Sequence, residues 1–202
     1  MAARAGALAG VVGPVLFAVT VLVLSVIQYH FMLEIGWRPL ADPAGAWPSG
    51  LALGPYGWIQ TANFILSGVL LILFSAGLLR MTKNGRGSWM GSTSLFVAGA
   101  AMALMGFDTD PIRRTGPRTP HGLIHDLAFA LFVAALLAAL FLLWWRFRQD
   151  DLWRDHARYT LATGVVALLL LLLPGVAYYL FIAVVLLWFE ASALRLWRLA
   201  AG

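Results

Sequence analysis

Six apolar stretches, separated by short polar segments, set the pattern of the chain. They fall at about residues 6–29, 56–79, 88–107, 121–145, 159–173 and 176–194. A helix needs roughly 20 apolar residues to cross the hydrocarbon of a bilayer. In lipid the backbone must also satisfy its own hydrogen bonds, so each stretch predicts a helix. The predicted fold is all-α: a multi-pass integral protein of the cell membrane, with residues 1–202 forming one domain of six transmembrane helices. No internal repeat relates the first three stretches to the last three, as an inverted transporter repeat requires.

The polar positions refine this picture stretch by stretch. Arg4 precedes the first run as in a secretory signal, but the run is longer than a signal's apolar segment and no cleavage site follows it. Gly10, Gly13 and Pro14 inside it favour close helix packing and a kink. Residues 30–55 form the longest connection, with Trp37, Trp47, Pro39, Pro43, Pro48 and Pro55; the prolines argue against continuous helix. The tryptophans suit a membrane interface, where the segment serves as a tether or as a lid on the bundle mouth. Gln60, Asn63 and Ser67 share one face of the second run. Polar groups there face the bundle interior, for hydrogen bonding between helices or for ligand contact. The third run is rich in Gly, Ala and Ser, which predicts a helix packed centrally. Leu168 to Leu173 reads as lipid-facing, and Pro174-Gly175 as a turn.

Charge then sets the topology. With the N-terminus inside, ten basic residues face the cytoplasm: Arg4, Arg80, Lys83, Arg86, Arg146, Arg148, Arg154, Arg158, Arg195 and Arg198. Four face outward: Arg38, Arg113, Arg114 and Arg118. The positive-inside rule therefore predicts both termini in the cytoplasm. Residues 146–158 read as a solvated turn with His156 on its surface, and Glu190 in the last run reads as a partner of Arg195, ahead of a place in a proton path.

Composition agrees with the pattern and removes some classes. The chain is 61% hydrophobic and 11% charged, against about 45–50% and about 25% in soluble domains. The net charge of +5 resides in short loops, and no basic helix with interleaved aromatics is present, which argues against a nucleic-acid partner. The absence of cysteine removes disulfides, thiolate metal sites and cysteine nucleophiles.

The candidate chemistry gathers at the outer end. There the topology brings His30, Gln60, Asn63, Asp108, Asp110, His121, His125, Asp126, Tyr178 and Tyr179 to one level. His121 and His125 are one helical turn apart, a spacing that suits two ligands of one zinc-like divalent ion, with Asp108 or Asp110 as a third. Such a centre could activate water. The structural alternative makes the aspartates partners of Arg113, Arg114 or Arg118, and sets Asp126 in the first turn of its helix, where a carboxylate favours the positive end. A haem reading pairs His30 with His121 or His125 as axial ligands and ranks below the metal. Gln60, Asn63, Asp126 and His30 are the candidate ligand-binding groups.

Gly13-Pro14, Asn63, Phe107-Asp108-Thr109-Asp110-Pro111 and His121-Gly122-Leu123-Ile124-His125, on six helices, resemble the bacterial and archaeal membrane family known as domain of unknown function 998. The resemblance spans nearly the whole chain and implies a six-helix membrane domain without an assigned activity. The function expected is a ligand-binding, sensing or accessory membrane module whose mouth holds a lipid, a small amphiphile or a partner membrane protein. The alternatives are a metal-dependent hydrolase of a lipid or amphiphile, and a small transporter.

Overall fold

A computed structural model describes residues 1–38, 48–82, 88–111, 115–173 and 176–201. The readings placed on Pro39, Pro43, Trp47, Lys83, Arg86, Arg113, Arg114 and Pro174-Gly175 lie outside the described residues. Seven α-helices are present among the described residues: α1 (Ala2–Ile27), α2 (Tyr29–Glu34), α3 (Gly57–Thr82), α4 (Ser88–Leu104), α5 (Pro120–Phe147), α6 (Arg154–Leu171) and α7 (Val176–Ala201). A 3₁₀ turn, Pro48–Leu53, precedes α3. Four helices, α1, α3, α5 and α7, are long and apolar enough to cross a membrane, and α4 is a shorter apolar helix. This is the build of a helical membrane protein.

The six long helices form a ring. α1 packs on α3, α3 on α4, α4 on α5, α5 on α6, α6 on α7, and α7 returns to α1. Two crossings depend on glycine. A Cβ on Gly6 would lie 2.6 Å from the Cα of Gly77, and one on Gly68 would lie 2.5 Å from the Gly99 carbonyl oxygen. Without side chains between them, the α1–α3 and α3–α4 backbones approach closely. The small residues of α4 thus serve its contacts with α3 and α5. The helix is not central: Phe96 and Leu104 on its other face are exposed.

The ends differ from the sequence reading where local bonding competes with apolar length. The first helix stops at Ile27, because Gln28 turns to other partners. Its side chain donates to Leu51 O (3.1 Å) and accepts from the Tyr56 backbone N–H (3.0 Å). The chain then enters α2. Leu24, Met32 and Leu51 form a small separate core there, with Phe31, Ile35, Trp37 and Ile59 against it. Trp37 Nε1 donates to the Tyr179 hydroxyl of α7 (2.8 Å). The described part of the long connection is therefore a folded cap tied to α1, α3 and α7.

At the opposite end α7 runs on to Ala201, so Arg195 and Arg198 are helical. Arg4 donates to Ala200 O (2.9 Å). Arg146 belongs to α5 and is buried, correcting the solvated-turn reading. It donates to Thr82 O (3.0 Å) and pairs with Asp150 (2.6 Å). His156 is likewise buried, with Nε2 2.8 Å from Ser192 Oγ. Glu190 does not hold Arg195: the arginine donates to Leu152 O, and Glu190 Oε1 is buried without a hydrogen-bond partner among the described residues. Leu168, Leu169, Leu172 and Leu173 are exposed, as a lipid-facing stretch requires.

Candidate functional site

The α4–α5 connection is built around three side chains. α4 ends in a tapering turn, with Met105, Gly106 and Phe107 bonded back to Ala101, Ala103 and Leu104. Its last carbonyls need donors. His125, one turn and a half into α5, supplies one: its Nδ1 lies 3.0 Å from Met105 O and 2.9 Å from Phe107 O. Both partners are acceptors only, so Nδ1 donates to them and carries a proton.

The start of α5 is held by Asp110. Its carboxylate accepts from the Thr119 hydroxyl (2.7 Å) and from the Thr119 backbone N–H (3.2 Å). Thr119 is the N-cap of α5 and accepts in turn from Gly122 N–H (3.0 Å), with Pro120 opening the helix. This cap geometry follows the usual preference for threonine before a proline-initiated helix. Glycine at 122 leaves room for the carboxylate, since a Cβ there would lie 2.5 Å from Asp110 Cγ and would displace that side chain. The Asp-Pro and His-Gly-x-x-His segments therefore meet as a clasp between the end of α4 and the start of α5.

This geometry separates the four proposed metal ligands. His125 is buried in the clasp, and Asp110 caps through Thr119. His121 is exposed against the Phe107 ring, with centroids 5.7 Å apart, and Asp108 is exposed. Among the described residues no group of three or more His, Cys, Asp or Glu side chains is placed to hold a metal ion. His30 stands exposed on α2 beside Tyr29. Asp126 lies beyond the first turn of α5 and pairs with Arg118 at 2.8 Å, both half exposed. Arg118 is one of the three arginines that sequence reading offered to Asp108 or Asp110, and the other two lie outside the described residues.

Gln60, Asn63 and Ser67 are buried on one face of α3, as expected. Asn63 Nδ2 donates to Gln60 Oε1 (3.3 Å), and Ser67 Oγ donates to Asn63 Oδ1 (3.3 Å). Asn63 also reaches Phe17 O on α1 (3.4 Å). The chain of amides is an interhelical link, with Gln60 Nε2 left unpartnered among the described residues.

Below the clasp lies a cavity of about 420 Å³. Ligand pockets span about 300–1,000 Å³. Every long helix except α6 contributes to its wall. α1 gives Gly10, Gly13, Pro14 and Phe17; Pro14 lacks the N–H that would bond the Gly10 carbonyl, and the two glycines leave room. α3 gives Phe64, Ser67, Leu71 and Phe74, and α5 gives Phe129 and Phe132. α7 gives the longest strip, from Tyr178 through Val185 to Phe189. The polar groups collect at one end, where Thr109, Asp110, Arg118, His125 and Asp126 form a mouth beside Pro48, Ser49 and Gly50 of the cap. Phenylalanines line the deeper part, where none of the described lining residues is charged.

A family model extends over nearly all of this framework, from α1 to α7, at residues 11–196. The chain belongs to the family of unknown function DUF998. No curated protein and no solved structure matches it. Within this family member, sequence reading found the polar mouth but missed Thr119 as the N-cap of α5 and the phenylalanine lining. Thr119-Pro120 was the available signal, a capping residue before a helix-initiating proline. The lining phenylalanines had none, because apolar residues in a membrane run look alike whether they face lipid or a cavity.

Proposed function

We propose that this DUF998 protein is a non-enzymatic ligand-binding module of the cell membrane, holding an amphiphile in the bundle cavity. The observation that carries the reading is the division of one cavity into an aromatic interior and a polar mouth. An apolar pocket with a few convergent polar groups is the usual form of a small-molecule site. Hydrolysis receives less support, because two of the four groups that would bind a metal and activate water, His125 and Asp110, are engaged in the α4–α5 clasp.

The reading includes a topology of six crossings, with both termini in the cytoplasm and the cavity mouth at the outer face. α4 and α6 cross with the other four because they stand beside them in the ring. Their lengths, 17 and 18 residues, give roughly 26 and 27 Å at about 1.5 Å per residue. The ten-to-four division of basic residues supports the orientation.

Native mass spectrometry of the full chain tests the binding reading. A single-chain lipid should add as one saturable equivalent. A continuous ladder of adducts without a saturating first step would reject a defined site.

A further inference from the structure

The dimensions and charges of the cavity narrow the class of occupant. Its α7 wall runs from Tyr178 to Phe189, roughly 16 Å along the helix axis at about 1.5 Å per residue. The cavity volume, about 420 Å³, lies toward the small end of the about 300–1,000 Å³ that ligand pockets span, and suits one hydrocarbon chain rather than two.

The mouth carries both signs of charge. Arg118 and Asp126 line the cavity and pair with each other at 2.8 Å, with 55% and 47% of their side chains exposed. The segment from Phe107 to Asp126 is balanced: Asp108, Asp110 and Asp126 against Arg113, Arg114 and Arg118. A pair so exposed is held weakly, by about 0–1 kcal/mol, and opens at little cost. An anionic headgroup on Arg118 would leave Asp126 without its partner. A cationic headgroup on Asp126 would strand Arg118 in the same way. A headgroup bearing both charges replaces both partners at once.

We infer that the cavity takes a single-chain lipid with a zwitterionic headgroup, its phosphate against Arg118 and its ammonium against Asp126. The inference rests on the ligand-binding reading and specifies the ligand class. The tail lies between α1, α3, α5 and α7 against Phe17, Phe64, Phe132 and Phe181. The headgroup sits under the cap, beside His125.

The test uses the full chain in a detergent with a rigid sterol-like tail, wider than one hydrocarbon chain. One-to-one binding is measured by native mass spectrometry for lysophosphatidylcholine, a fatty acid and an alkyltrimethylammonium of equal chain length. Diacyl phosphatidylcholine and glycerophosphocholine are the two further arms. The expected result is tightest binding of lysophosphatidylcholine, by about fivefold over either singly charged chain, the upper range for exposed ion pairs. Arg118→Gln should remove its advantage over the alkylammonium, and Asp126→Asn its advantage over the fatty acid. Thermal unfolding of each variant, unchanged from the parent, keeps the comparison one of binding.

Equal binding of all three single chains would overturn the headgroup assignment and leave the cavity reading standing. Equal binding of the diacyl lipid would overturn the single-chain assignment, and equal binding of glycerophosphocholine would overturn the role of the tail. Absence of one-to-one binding by every lipid would overturn the ligand-binding reading itself.

Discussion

At the scale of the residue, chemically similar side chains have been given different work by their depth. His121 and His125 share a motif, but only His125 is enclosed, with Nδ1 on two α4 carbonyls. His125→Ala removes the donor and leaves those acceptors unsatisfied, a loss of about 1–3 kcal/mol. His121→Ala touches an exposed ring contact and should change stability by less than about 0.5 kcal/mol. Thermal unfolding in detergent distinguishes them; equal losses would contradict the clasp. Arg146 makes a similar case at the other end. Its pairing with Asp150 is almost fully buried, at 7% and 17% side-chain exposure. Arg146→Ala should therefore cost about 3–5 kcal/mol, because it strands the carboxylate. Arg148→Ala, which gives up only a cation–π contact with Trp144, should cost about 0.5–1 kcal/mol. Comparable losses in the two variants would show that Arg146 is not the tie between α3 and α5.

At the scale of the element, helices were legible because membrane crossing demands long apolar runs, and their ends were less so. Gln28 could not be recognised as a helix stop, since its partners Leu51 and Tyr56 lie more than twenty residues away. Arg146 and His156 read as surface groups because a charged run looks solvated, although tertiary contacts bury both. The Gly- and Ala-rich composition of α4 did announce close packing, but not which helices it meets. Gly68 decides one such contact. Gly68→Val would push side-chain atoms into the Gly99 carbonyl and the Ala103 amide, backbone atoms that cannot move alone. Overpacking of this kind costs about 1–3 kcal/mol. Gly116, where an added Cβ would meet nothing within 4 Å, should accept valine without loss. Equal unfolding temperatures for the two variants would show that α3 and α4 do not need their close approach.

At the scale of the whole molecule, sequence located the polar mouth and left the cavity behind it unseen. A mouth is written in polar residues against an apolar background. A cavity is written in which phenylalanines face inward, and membrane helices bury and expose apolar residues alike. Orientation rests on charge, and cysteine labelling checks it in intact cells. Thr115→Cys should react with an impermeant maleimide, and Gln149→Cys should react only after permeabilisation; the reverse pattern would invert the molecule.

The most direct measurement concerns the cavity. Val185 lines it at mid-depth and is 4% exposed, so Val185→Trp fills the space while leaving the mouth intact. One-to-one binding of lysophosphatidylcholine should fall at least tenfold in the folded variant, as measured by native mass spectrometry. Ile182→Phe, a smaller filling on the same wall, should give an intermediate loss. Undiminished binding in both variants, with unfolding temperatures unchanged, would contradict the cavity as the ligand site.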